Sequence, residues 1–149
     1  MSKTLEPFSF QYHQGKRKLT LLEPLVIEDK KIIWLVGNSG SGKSTFLHLL
    51  KGFYPEFLSG ELSSHSVGIL EKASYLAQNP LTQIVHEKVG EEFFFSMENA
   101  QYSPNTMEQK KVWMKKFGFD NKEFENTQNL SHGFAQRLLL TSMLATNPE

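Results

Sequence analysis

Gly37-Asn38-Ser39-Gly40-Ser41-Gly42-Lys43-Ser44-Thr45 is the stretch of this chain whose residue types and spacing point most directly to chemistry. It fits G-x-x-x-x-G-K-[ST], a pattern in which glycines let the backbone wrap tightly and turn successive N–H groups inward. A helix starting near Lys43 would aim the positive end of its dipole at the same point, so that loop and helix form an anion cradle. Lys43 would then reach the β- and γ-phosphates of a nucleoside triphosphate, and the Ser44 hydroxyl would ligate the Mg²⁺ that travels with them. A flexible surface turn is the bland alternative for so many glycines and serines. The flanks argue against it, because Ile32-Ile33-Trp34-Leu35-Val36 reads as a buried strand entering the loop, and Phe46, Leu47, Leu49 and Leu50 follow at helical spacing.

The rest of the chain must hold this loop in place. Residues 8–12 and 19–28 read as strands around a turn at His13-Gln14-Gly15-Lys16, with Pro24 marking an edge or a bulge. Gly52 and the segment 54–60 stop the first helix, and short strands are expected near 61–63 and 67–70 and over 72–77. Helices are expected over 89–97, from a capping-box pattern at Thr106-Met107-Glu108-Gln109, and over 133–145, with a polar loop at 120–129. Phe93-Phe94-Phe95 and Trp113, Met114 and Phe117 look like helix faces, for which core packing is the default.

The 149 residues allow one domain, and a hydrophobic fraction of 39% is enough for a core. Sixteen basic residues balance sixteen acidic ones, so no global field recruits nucleic acid or an anionic membrane, and nucleotide binding must be local. The absence of cysteine removes disulfides and thiolate metal sites and is compatible with a reducing cytoplasm. His13, His48, His65 and His86 lack ligand spacing. The start resembles neither a signal peptide nor a transit peptide, and no stretch approaches a membrane span. Any link to a membrane would run through a partner.

Three weaker features fall in a fixed order around the phosphate loop: Tyr12 on a strand before it, Gln78 after it, and Leu130-Ser131-His132-Gly133-Phe134-Ala135-Gln136-Arg137 opening the last helix. This order resembles the ATP-binding-cassette ATPases over nearly the whole chain, and the segments QNPLTQIV and GEEFFFSMEN are most similar to the ATPase subunits of energy-coupling-factor importers. The resemblance implies an α/β fold: a P-loop NTPase core with an antiparallel β subdomain over 1–77 and a Gln-loop, helical and signature portion over 78–137. It implies ATP and Mg²⁺ as cofactors, Tyr12 stacked on the base, and Gln78 reaching the metal or the attacking water. Ser131 and Gly133 would face the γ-phosphate held by a second ATPase subunit. An integral membrane subunit would be the other partner, which places the protein in the cytoplasm at the inner face of the membrane, importing a vitamin or metal ion. His132 and Phe134 depart from the family pattern LSGGQ, where glycine and glutamine stand.

In the family the chain continues beyond the position of Glu149 into an apolar strand ending in Asp and then Glu, groups that hold Mg²⁺ through water and polarise the attacking water. The 149 residues contain no replacement for them, so this stretch is expected to be part of a domain, to expose apolar side chains on 32–36 and on the last helix, and to hydrolyse ATP poorly by itself. Rival readings are a cassette NTPase without transport, a non-hydrolysing nucleotide-binding or assembly module, and a P-loop kinase, against which the 75–85 and 130–137 segments argue.

Overall fold

Alternating apolar residues near the start of the chain build two small antiparallel sheets. β2 (Phe8–Tyr12) lies between β3 (Lys18–Leu21) and β5 (Gly60–Leu62), with Phe10 opposite both Leu19 and Leu62, and Tyr12 opposite Gly60. β1 (Lys3–Leu5) pairs with β4 (Leu25–Ile27). This computed structural model describes residues 2–63, 67–99 and 106–145, which fall into two compact units, Met1–Ala73 and Ser74–Glu149. The single strand expected over 19–28 is two strands, because Pro24 has no N–H to give to a ladder.

In the first unit Leu5, Phe8, Phe10, Leu49, Leu50 and Leu58 form the core. α1 (Lys43–Lys51) contributes through Phe46, Leu49 and Leu50, which share one helical face. It ends at Gly52, whose left-handed backbone lets its N–H bond back to the His48 and Leu49 carbonyls. Gly60 has a different reason to be glycine. A Cβ there would lie 2.5 Å from the Gln11 carbonyl oxygen and 2.7 Å from the Phe10 ring. Gly60→Ala should therefore destabilise the first unit by about 1–3 kcal/mol through overpacking, read as a lower urea midpoint.

Three expected strands are not formed. Residues 31–36 have no ladder partner among the described residues, and their apolar side chains are exposed, Ile32, Trp34 and Val36 at 85%, 85% and 87%. A central strand is stable only where neighbours satisfy its backbone groups and cover both faces, and the described sheets offer this segment neither. The same reason applies at 67–70 and 72–77, which run as turns and extended chain. Gly68 there has a left-handed φ of 82°, which a strand does not accommodate.

The second unit is helical. α2 (Val89–Asn99), α3 (Thr106–Lys116) and α4 (His132–Ala145) gather Val89, Phe93, Met97, Met114, Phe119, Leu130 and Leu138 into a core, with Trp113 and Phe117 packed against it. Val89, Phe93 and Met97 recur every four residues and line one face of α2. Core packing therefore accounts for most of the aromatic helix faces. The expected capping box at Thr106 depends on side chains outside the described ones, as do His65 and the terminal residues 146–149. On α4, buried Thr141 and Ser142 bond back to the carbonyls of Arg137 (2.6 Å) and Leu138 (2.9 Å), so their hydroxyls are satisfied inside the core. Leu140 and Leu144 stay exposed on the same helix, as the sequence suggests.

Candidate functional site

The loop between residue 36 and α1 is shaped by two glycines with positive φ, Gly40 at 73° and Gly42 at 97°, a region that other residues enter at a cost. Gly42 occupies the N-cap of α1, so that helix end has no side-chain cap, and its first turn carries no acidic residue. The orphan N–H groups of this helix start thus have no side-chain acceptor, an arrangement able to receive a negatively charged ligand. The Lys43 ammonium donates to the Gly37 and Asn38 carbonyls at 2.8 Å each, which folds the side chain back over its own loop. An ammonium has three donors, so one remains for a phosphate oxygen. Ser44 is exposed at the start of the helix.

Beside the loop lies a cleft of about 350 Å³. Its walls are Phe10, Tyr12, Arg17, Lys18 and Leu19 from the β2–β3 hairpin, and Gly40, Ser41, Gly42 and Thr45 from the loop and α1. Tyr12 is 38% exposed, its ring packs edge-on against Phe10 at 4.9 Å, and its hydroxyl shares a 3.0 Å hydrogen bond with the Thr45 hydroxyl. An aromatic face held open to a cleft beside an anion cradle suits a base. Tyr12 and the residues of the loop are thus brought together. Arg17 and the Thr45 contact were not singled out from sequence. The alternation of β3 could have found the first, since Arg17 precedes Leu19 by two residues and so shares its face.

Gln78, in the second unit, is exposed. What fixes its neighbourhood is Gln83, whose side-chain oxygen accepts from the Ala77 N–H at 2.7 Å and whose amide nitrogen donates to the Tyr75 carbonyl at 3.0 Å. Farther along, buried Glu92 accepts from the Val85 and His86 N–H groups, each at 2.9 Å, and from His86 Nδ1 at 3.2 Å. Buried Thr127 donates to the His86 carbonyl at 2.7 Å. These three side chains hold the segment from 75 to 88 on the helical unit, and only its irregular backbone explains why polar residues serve there.

Ser131 caps α4, accepting from the Phe134 N–H at 3.4 Å, and it is exposed together with His132 and Gly133. A Cβ on Gly133 would meet nothing within 4 Å, so no described residue demands glycine at that position. Phe134 turns inward, edge-on to Phe119 at 5.9 Å, with Arg137 and Lys122 over its ring. Of the two departures from the LSGGQ pattern, one is thereby taken up by the core and the other, His132, stands in solvent.

A family model described as ABC transporter matches residues 24–149. The energy-coupling factor transporter ATP-binding protein EcfA1 of Thermotoga maritima is 34% identical over 150 residues, which cover 97% of this chain and 57% of that protein. The protein of the same name from Mesomycoplasma hyopneumoniae (strain 7448) is 33% identical over 154 residues, 94% of this chain and 55% of its own. Among solved structures, CbiO1 of Clostridium perfringens, described as part of the ABC transporter complex CbiONQ, matches with a TM-score of 0.65 at 21% identity, over 97% of this chain and 61% of that one. That likeness shows the α/β fold of the ABC ATPases. The chain spans about half the length of the curated relatives it matches. With the family model extending over most of its residues, the chain belongs to the ABC transporter family.

Proposed function

We propose that this chain binds ATP in the cleft between the β2–β3 hairpin and the phosphate loop, and that in the working protein binding and hydrolysis drive an importer. The observation that carries the reading is the uncapped start of α1, with Lys43 folded over the loop and Tyr12 open to the adjoining cleft. Lys43 would shift from a loop carbonyl to the β- and γ-phosphates. As water attacks the γ-phosphate, it would stabilise the transferred charge.

Mg²⁺ fits this site as a companion of the nucleotide. Ser44 offers a hard hydroxyl donor, while no group of three His, Asp or Glu residues among those described could hold a metal without phosphates. When bound, the ion would neutralise charge between the β- and γ-phosphates, and Ser44 would orient it. The assignment of Gln78 to the same ion or to the attacking water rests on the order of sequence motifs.

The relatives named energy-coupling factor transporter ATP-binding protein EcfA1 favour a transporter of that kind. The resemblance of the motifs adds import of a vitamin or metal ion, with a second ATPase subunit and an integral membrane subunit as partners. Exposed Ser131 and the open face of Gly133 suit the γ-phosphate on that second subunit. His132 stands exposed at the same edge; the alternative to a working site there is a degenerate one paired with a subunit that carries the better signature. A hollow of about 350 Å³ bounded by Leu81, Ile84, Val85, His86 and Thr127, with Val85 71% exposed, would take the membrane subunit's docking segment. Docking to the membrane subunit would hold the chain at the cytoplasmic face; no helix among the described residues is long and apolar enough to cross a membrane.

Titration with ATP, GTP and inorganic triphosphate tests the nucleotide reading. Tyr12→Ala should weaken ATP and GTP alike by about five- to tenfold, near the low end of measured base–aromatic stacking because the ring is partly exposed. Inorganic triphosphate should bind as before. An equal loss for all three ligands would move Tyr12 from base recognition to support of the loop.

A further inference from the structure

We propose that Arg17 is a second cation of the nucleotide site, one that binds the phosphate chain from outside the loop. The inference rests on the nucleotide reading above and adds a residue to it.

The hairpin fixes where Arg17 points. Phe10 is opposite Leu19 in the β2–β3 register, and period-two alternation puts Tyr12 and Arg17 on the same face as that pair, farther along toward the turn. That face meets the phosphate loop, since a Cβ on Gly42 would lie 3.2 Å from Leu19 Cδ1. The turn itself is braced by the Gly15 N–H bonded to the Tyr12 carbonyl at 2.9 Å and by the Gln11 side-chain amide donating to the Gly15 carbonyl at 2.9 Å. Arg17 thus projects across the cleft and its Nη1 donates to the Gly40 carbonyl at 3.4 Å, the middle of the loop.

Its chemistry there is that of an unmatched cation. Guanidinium has five donors, and the contact with Gly40 is long and uses one. No carboxylate pairs with it among the described residues, and Lys18 lines the same wall. The loop's positive-φ glycines and the helix start add partial positive charge. Such a concentration of positive groups without a counter-ion suits a phosphate, which a guanidinium can bind through two parallel donors. A neutral carbonyl 3.4 Å away is a weak resting partner that a phosphate oxygen would displace.

Isothermal titrations of the 149-residue chain with ATP, ADP and inorganic triphosphate, for the unaltered protein, Arg17→Ala and Arg17→Gln, decide the matter. Arg17→Gln keeps a donor for the Gly40 carbonyl and removes the charge. Both variants should weaken all three ligands by about five- to tenfold, the range of a partly solvated charge-assisted hydrogen bond, with unchanged thermal unfolding. The affinity of the unaltered protein should also fall more steeply with salt than that of either variant. Wild-type affinity in Arg17→Gln, or a loss confined to ATP and ADP with triphosphate unaffected, would overturn the phosphate assignment. No ATP binding by the unaltered protein would instead refute the nucleotide reading itself.

Discussion

Replacing Lys43 with alanine is expected to lower ATP affinity by about 30- to 150-fold, the equivalent of ~2–3 kcal/mol for a charge-assisted contact in a partly dehydrated loop. The structure makes this a specific expectation. The ammonium donates to the Gly37 and Asn38 carbonyls, both at 2.8 Å, so the side chain is positioned at the loop and loses little freedom on binding. Stability should respond differently from affinity. The two carbonyls belong to an exposed loop, so water can replace the ammonium, and thermal unfolding should move little. Calorimetric titration of ATP, paired with a melting curve, separates the two effects; equal ATP affinity in both proteins would remove the phosphate role from Lys43.

Phe10→Ala should produce the largest change in stability, about 3–5 kcal/mol in the first unit. Phe10 is 1% exposed, sits at the centre of the three-stranded sheet, and meets Tyr12 and Tyr54 edge-on at 4.9 and 5.9 Å. Truncation would remove the buried area of an aromatic ring and leave a cavity that the rigid β2–β3–β5 sheet closes only in part. Because Tyr12 rests on that ring, ATP affinity should fall as well, whereas inorganic triphosphate binding should persist under conditions where the variant is folded. Urea unfolding gives the first quantity and titration the second. A stability change below ~1 kcal/mol would mean that the strands do not pack as described.

The local signals that were legible in the sequence are those whose cause is local. Lys43–Lys51 is a helix because Phe46, Leu49 and Leu50 share a face and Gly52 ends it, and the strand at Phe8–Tyr12 follows from simple alternation. The backbone course of the loop before that helix is readable for the same reason: Gly40 and Gly42, which take positive φ there, stand in the run itself. The strand expected at 32–36 failed because an apolar run becomes a strand only when neighbours complete its ladder, and that information is not in the run itself. Contacts made across long separations were equally hidden. Tyr12 with Thr45, Arg17 with Gly40, and Thr127 with His86 are separated by 33, 23 and 41 positions, and nothing in any one segment announces its partner. Phe134, which departs from the family's signature, is half-buried and packs edge-on against Phe119, a contact 15 positions away that the signature segment does not announce.

Nucleotide should enter the cleft between Tyr12 and the loop leading into α1. Backbone amide resonances of the isotopically labelled chain, followed while ATP is added, test it residue by residue. The largest shifts are predicted at Gly40, Ser41, Gly42, Lys43, Ser44 and Thr45, where N–H groups would meet phosphate, with smaller ones at Tyr12 and Arg17, and with saturation at one ATP per chain. Shifts confined to the helical unit, or none in the loop at saturating ATP, would contradict the account.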